Sequence, residues 1–165
     1  MIRVELQDAE VKAALERLDA GLGDLTPVMQ DIGEYLMEAT KRRFQAGTGP
    51  DGTPWAPTSQ TTMDAQAARG DRPDPRPLIG PSKTLSTTIN YQAGPDRVEV
   101  GSPAIYSAVH QFGAAKGAFG ATARGASIPW GDIPARPFLG IAAEDRAAIV
   151  DIVEEWLESV ATGAR

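Results

Sequence analysis

Cysteine is absent from this 165-residue chain. That excludes a disulfide framework, a thiolate zinc site and a cysteine nucleophile. Histidine is nearly absent: His110 is the single copy, so zinc, which prefers Cys and His, has one candidate ligand of those types. Long apolar runs are missing as well, and no stretch approaches the roughly 18 residues a membrane helix needs. The start, MIRVELQDAEVK, is charged within three residues and lacks an apolar h-region, so it does not read as a signal peptide. No membrane association is expected, and synthesis in a reducing cytoplasm fits. Neither G-x-x-x-x-G-K-[ST] nor G-x-G-x-x-G at a strand end is found, and there is no G-x-S-x-G elbow.

What is present is a chain with enough apolar residues for a core, 42% hydrophobic, and a large loop share, with 17 Gly and 13 Pro. Its length suggests a single domain over residues 1–165, with loop insertions at about 47–81 and 113–128. The net charge of -6 is uneven: -3 over residues 1–46, +1 over 47–140 and -4 over 141–165. Such a balance does not indicate a nucleic-acid module, because phosphate binding is dominated by Lys and Arg. Lys41-Arg42-Arg43 and the loop arginines Arg69, Arg72 and Arg76 are the only candidates for a local DNA contact, against the plainer reading of a solvated helix end and loop.

Residues 2–6, IRVEL, alternate as a half-buried strand does. Asp8 is placed to cap a helix carrying Val11, Ala14, Leu15 and Leu18, which Gly21 and Gly23 stop. Thr26-Pro27 reads as an N-cap followed by proline at the first helical position, opening a helix over 27–45. Val28, Ile32, Tyr35, Leu36 and Ala39 share its inner face, and Phe44 lies near its end. Lys41, Arg42 and Arg43 in its last turns suit the helix dipole. Residues 47–81 are rich in Gly, Pro, Thr and Asp, hold Trp55 as an isolated anchor, allow a short helix near 58–68, and otherwise predict a mobile loop. TLSTTINYQ (84–92) and VEVGS (98–102) read as a hairpin turning at Gly94-Pro95-Asp96. PAIYSAVHQFG (103–113) is punctuated as a short helix with Ile105, Ala108, Val109 and Phe112 on its buried side. Residues 113–128 read as a flexible glycine-rich connector, PWGDIPARPFLGI as an extended segment, and 142–160 as an amphipathic helix. Its stripe is Ile149, Ile152, Val153, Trp156, Leu157 and Val160, with acids on the rest. The fold class is α+β: a small, mainly antiparallel sheet packed against a long helix of the N-terminal half and a C-terminal amphipathic helix, with long mobile loops.

Chemistry has few places to reside. Ser107 sits three residues before His110 on one helix face, which is not a nucleophile elbow. At the last turn of a short helix the His110 imidazole can bond free carbonyls or pack on the extended segment. Asp51, Asp64, Asp71 and Asp74 share the 47–81 loop, but Asp51-Gly52 reads as turn chemistry. A hydrolytic site would need three carboxylates, or His110 with two acids, in one pocket. The residues that remain suit contacts: Trp55, Phe112, and Arg136 held between Pro134 and Pro137, followed by Phe138. They read equally as a domain corner or as a subunit contact.

Taken in order, PDGTPWAP (50–57) after a helix ending in Phe44, YSAVHQFG (106–113), and IPARPFLGI (133–141) before an acidic C-terminal helix resemble the phage virion morphogenesis family. These are tail completion proteins of Mu-like and P2-like phages and prophages. The resemblance runs from about Leu36 to the C-terminus. RPLIGPSKTLSTTI (76–89) departs from the Leu-x-x-Thr-Gly-x-Leu-like run expected before the hairpin. The resemblance implies a structural protein, not an enzyme, acting in tail completion and head–tail joining. It implies no cofactor, self-assembly into a ring, and partners among tail tube or tail terminator and head connector proteins. It places the chain in the host bacterial cytoplasm during assembly and then in the virion. Trp55, Tyr106, His110, Phe112, Arg136 and Phe138 are expected at an interface or structural corner, and the 47–81 loop and acidic C-terminal helix are expected to carry subunit contacts. The alternative is a metal-dependent nuclease or other hydrolase of phage origin.

Overall fold

A computed structural model describes residues 9–72, 74–80 and 82–163. Its elements run α1 (Ala9–Leu22), α2 (Thr26–Ala46), α3 (Gln60–Ala68), α4 (Thr84–Thr87), β1 (Asn90–Ala93), β2 (Val98–Gly101), α5 (Ser107–Phe112) and α6 (Ala143–Thr162). The expected strand at 2–6 and the Asp8 cap lie outside the described residues.

Helical spacing of apolar residues puts α2 at the centre, with a core on each side. Val28 and Ile32 pack with Trp156, and Leu36, Ile149, Ile152, Val153, Leu157 and Val160 close around them. This is the stripe expected of α6. Phe44, Trp55, Ile79, Leu85, Ile89 and Phe138 form the second core. β1 and β2 pair antiparallel, Asn90 opposite Gly101 and Ala93 opposite Val98, and pack against α2. Tyr91 lies directly over Gly33. α1 runs along α6 without a buried residue of its own, held by Arg17 donating to the Ala161 carbonyl at 2.6 and 2.9 Å.

Several local readings change. Thr26 is the first residue of α2 and not its cap: Leu25 holds the cap position, and Asp24 accepts from the Thr26 N–H at 2.9 Å. The far end stops as expected at Gly47, in the left-handed region at φ 71°. Residues 84–87 form a helical turn and not a strand. Thr87 and Thr88 hydroxyls donate to the Lys83 and Thr84 carbonyls, and the four-residue spacing of Leu85 and Ile89 lands both in the second core. Burial at helical spacing outweighs β-branching there. The short helix expected near 58–68 is α3, capped by Ser59, which accepts from the Thr62 N–H at 3.2 Å. The glycine-rich connector folds back on itself as a tongue. Phe119 N donates to Ile128 O and Ile128 N to Gly120 O, both at 2.8 Å, and Ala114 bridges Ile133 at its root.

The buried side expected of α5 is the clearest reversal. Ile105 is 97% exposed, Phe112 is 77% exposed and Ala108 is exposed, with Val109 half-buried. The helix is turned so that Gln111 and His110 face the protein, because Gln111 is the side chain that satisfies the neighbouring backbone. No helix of the described residues is long and apolar enough to cross a membrane.

Candidate functional site

Residues 133–141 form a strap across the second core. Two prolines keep it extended and remove backbone donors, so neighbouring side chains must satisfy its carbonyls. Trp55, buried, donates from Nε1 to the Pro137 carbonyl at 2.8 Å, and its ring meets Phe44 edge-on at 5.5 Å between centroids. Phe138 is fully buried against Phe44. Arg136 is buried and turned the other way: Nε donates to Ala56 O at 2.7 Å and Nη2 to Pro57 O at 2.9 Å. Strap and PDGTPWAP segment thus hold each other by reciprocal donation, with an indole one way and a guanidinium fork the other.

Three further residues, absent from the sequence reading of the site, complete the clamp. Gln111 accepts from both Phe138 N and Leu139 N at 3.0 Å and donates to Leu139 O at 2.9 Å. Arg43 is buried at the end of α2 and donates through Nη1 to Phe138 O and Gly140 O, while Nη2 pairs with the buried Asp145 carboxylate. Asp145 in turn accepts from Ala142 N at 2.7 Å, the carboxylate half of a capping box. The expected solvated Lys41-Arg42-Arg43 cluster is therefore divided. Lys41 pairs with Glu38, Arg42 lies over the Tyr35 ring at 5.7 Å, and Arg43 points into the protein. The signal that could have exposed Arg43 is its place one residue before the apolar Phe44, on the side where Ala39 and Thr40 are buried.

His110 meets the strap through its backbone, its carbonyl accepting from Arg136 N at 2.8 Å. The ring is edge-on to Tyr106, 5.8 Å between centroids, and its buried Nδ1 has no protein partner. Burial, and then the Arg136 charge, hold the imidazole below its usual pKa. After it, Gly113 sits at φ +75°, where a Cβ would come within 2.8 Å of Ala135 N and Ile133 O, so glycine permits the close crossing. Phe112 is not part of this corner; it points to solvent. Of the six expected residues, Trp55, Arg136 and Phe138 converge, His110 and Tyr106 adjoin them, and Phe112 stands apart.

Thr58, Thr62, Tyr106, His110, Trp130 and Arg136 face a cavity of about 770 Å³ beside the strap. Among the described residues Asp132 is the only carboxylate on its wall. Among the described residues no group of three His, Asp or Glu side chains is placed to hold a metal ion. The loop carboxylates are occupied otherwise. Asp51 accepts from Thr53 N and Oγ1, Asp64 from Gln60, and Asp74 from Arg76, whose hydrogen bonds pull the Asp74 pKa down to about 2.

The sequence profile of the phage virion morphogenesis family matches residues 6–158. The chain is 31% identical over 159 residues to tail completion protein S of Escherichia phage P2, covering 90% of this chain and 98% of that protein. It is 28% identical to Mu-like prophage FluMu G protein 2 of Haemophilus influenzae, across 96% of this chain and 97% of that one. It is 27% identical to the putative capsid assembly protein G of Escherichia phage Mu, across 90% and 93%. No solved structure matches the chain.

Proposed function

This chain belongs to the phage virion morphogenesis family, and from that premise we propose that it completes the phage tail and acts in head–tail joining, by binding other virion proteins and copies of itself. A role in phage morphogenesis follows from the family and from relatives named for tail completion and capsid assembly. The observation that carries the finer reading is the 31% identity to the P2 tail completion protein, spread over 98% of its length. The strap geometry supports it. Trp55 and Arg136 donate to backbone carbonyls between the strap and the 50–57 segment, and Gln111 accepts from Phe138 N, which makes a rigid corner suited to presenting surfaces to partners. Tail tube or tail terminator and head connector proteins are the partners this role requires, in the bacterial cytoplasm during assembly and in the finished virion. A tail end has rotational symmetry, so self-association there takes head-to-tail contacts that close a ring. The 47–81 segment and α6 are candidates for those contacts.

Deleting the gene from its own phage and imaging the lysate by electron microscopy tests the role. Filled heads with separate, unjoined tails are expected, and added purified protein should restore joining. Joined particles without the protein would overturn the reading, and failure at the head with normal tails would move the role to capsid assembly.

A further inference from the structure

Among the described residues the buried charged side chains are Arg43, Arg136 and Asp145, two cations and one anion. Asp145 is taken by Arg43. Arg136 is left buried without a counter-ion, and burial lowers its pKa with no carboxylate to offset it. Taking a charge out of water is costly unless an opposite charge comes with it. Its two acceptors, Ala56 O and Pro57 O, use two of the five guanidinium N–H groups and carry no net charge.

Arg136 borders the cavity beside the strap, and so does the start of α3. Pro57, which accepts from Arg136, stands two residues before Ser59, the cap of α3. Ser59 accepts from the Thr62 N–H. The N–H groups of Gln60 and Thr61 have no acceptor inside the helix, and the helix dipole is positive at that end. Thr61 lines the cavity. A buried cation without a counter-ion and an open helix N-terminus thus adjoin at one wall, an arrangement that favours an anion. The other charged or titrating groups there do not supply one. Burial, then the Arg136 charge, hold the His110 imidazole toward its neutral form. Asp132 is exposed and accepts from Lys116 N at 2.8 Å, on the tongue. Leu78, Pro129 and Trp130 make another part of the wall apolar, and the Trp130 side chain is 78% exposed.

We propose that this cavity binds an organic carboxylate, its carboxyl group between Arg136 and the start of α3 and its apolar group against Trp130. One unpaired cation matches a monoanion, and an apolar wall beside it matches an anion carried on carbon. A carboxylate has two oxygens, so it accepts from the guanidinium and from a helix N–H at once. A free acid and the carboxyl end of a peptide chain present the same chemistry. The site belongs to the single chain, so its test is independent of tail completion.

Titrating the protein with phenylacetate to about 20 mM at constant ionic strength, and following its amide NMR signals, tests the site. The Gln60 and Thr61 amides and the Arg136 Nε–H should shift together and saturate. Phenylacetamide, of similar shape but uncharged, should bind about tenfold more weakly. Thr61→Glu places a carboxylate at an exposed position on the same wall, so it should fold normally and weaken phenylacetate several-fold. Thr61→Gln should bind as wild type does. Silence of the α3 amides, equal binding of the amide, or undiminished binding by Thr61→Glu would each overturn the site. An acetylated dipeptide ending in phenylalanine with a free carboxyl group separates the two sources. Tighter binding than phenylacetate assigns the site to a chain end, and weaker binding assigns it to a small acid.

Discussion

Asp145 accepts hydrogen bonds from three directions: Ala142 N at 2.7 Å, the Arg43 guanidinium, and the Tyr35 hydroxyl at 3.3 Å. Burial, then the Asp145 charge, raise the pKa of that tyrosine. Arg43 also donates to Phe138 O and Gly140 O, so the ion pair joins the end of α2, the strap and the start of α6. Removing one member leaves the other charge buried and unpaired, at a cost of about 3–5 kcal/mol. Arg43→Met and Asp145→Asn should each show a loss of that order in urea unfolding, and the double variant should lose less than the sum. Losses below about 1 kcal/mol for both single variants would mean the pair behaves as a solvated one. His110 yields a pH effect. Its folded pKa is depressed, so below the ordinary value of about 6.5 the unfolded chain takes up a proton that the folded chain refuses. Its contribution to stability is therefore level above about pH 6.5 and is lost as pH falls through it. His110→Gln should flatten the decline between about pH 7 and the folded pKa, and an unchanged slope in the variant would show that the imidazole is not its source.

At the scale of elements, the packing of α2 on the hairpin turns on Gly33. Alanine in a helix interior is ordinarily better than glycine by about 1 kcal/mol. Here a Cβ would sit 2.3 Å from Tyr91 Cδ2, with two more ring carbons within 2.9 Å. The clash outweighs the propensity gain, so Gly33→Ala should lower the midpoint of thermal unfolding. In a Tyr91→Ala background the same change should raise it, and a loss of equal size in both backgrounds would show that the ring is not the cause. Which elements were legible follows from how local their determinants are. α2 and α6 announce themselves by apolar spacing, and the hairpin by its turn. α4 did not, because its sequence is β-branched and only the second core rewards Leu85 and Ile89 for lying one turn apart. α5 was legible as a helix but not in its rotation. Gln111 turns inward to bind the strap, which lies 27 and 28 positions away in the chain.

At the scale of the molecule, α2 carries a core on each side, while charge is segregated between an acidic α6 and a near-neutral middle. The sequence by itself determined the α+β class, the long helices and hairpin, the anchors Trp55, Arg136 and Phe138, and, through three motifs in fixed order, the family. These rest on interactions between residues close in the chain, or on patterns that survive any packing. The tertiary structure alone decided that Arg43 leaves its basic cluster for Asp145, that Gln111 clamps the strap, and that the apolar stripe of α5 faces water. Arg43 and Asp145 are 102 positions apart, and Trp55 and Pro137 are 82 apart. Contacts of that span form only after the chain entropy of closing the loop between them is offset by both cores packing at once, and no local pattern encodes which distant partner will be there.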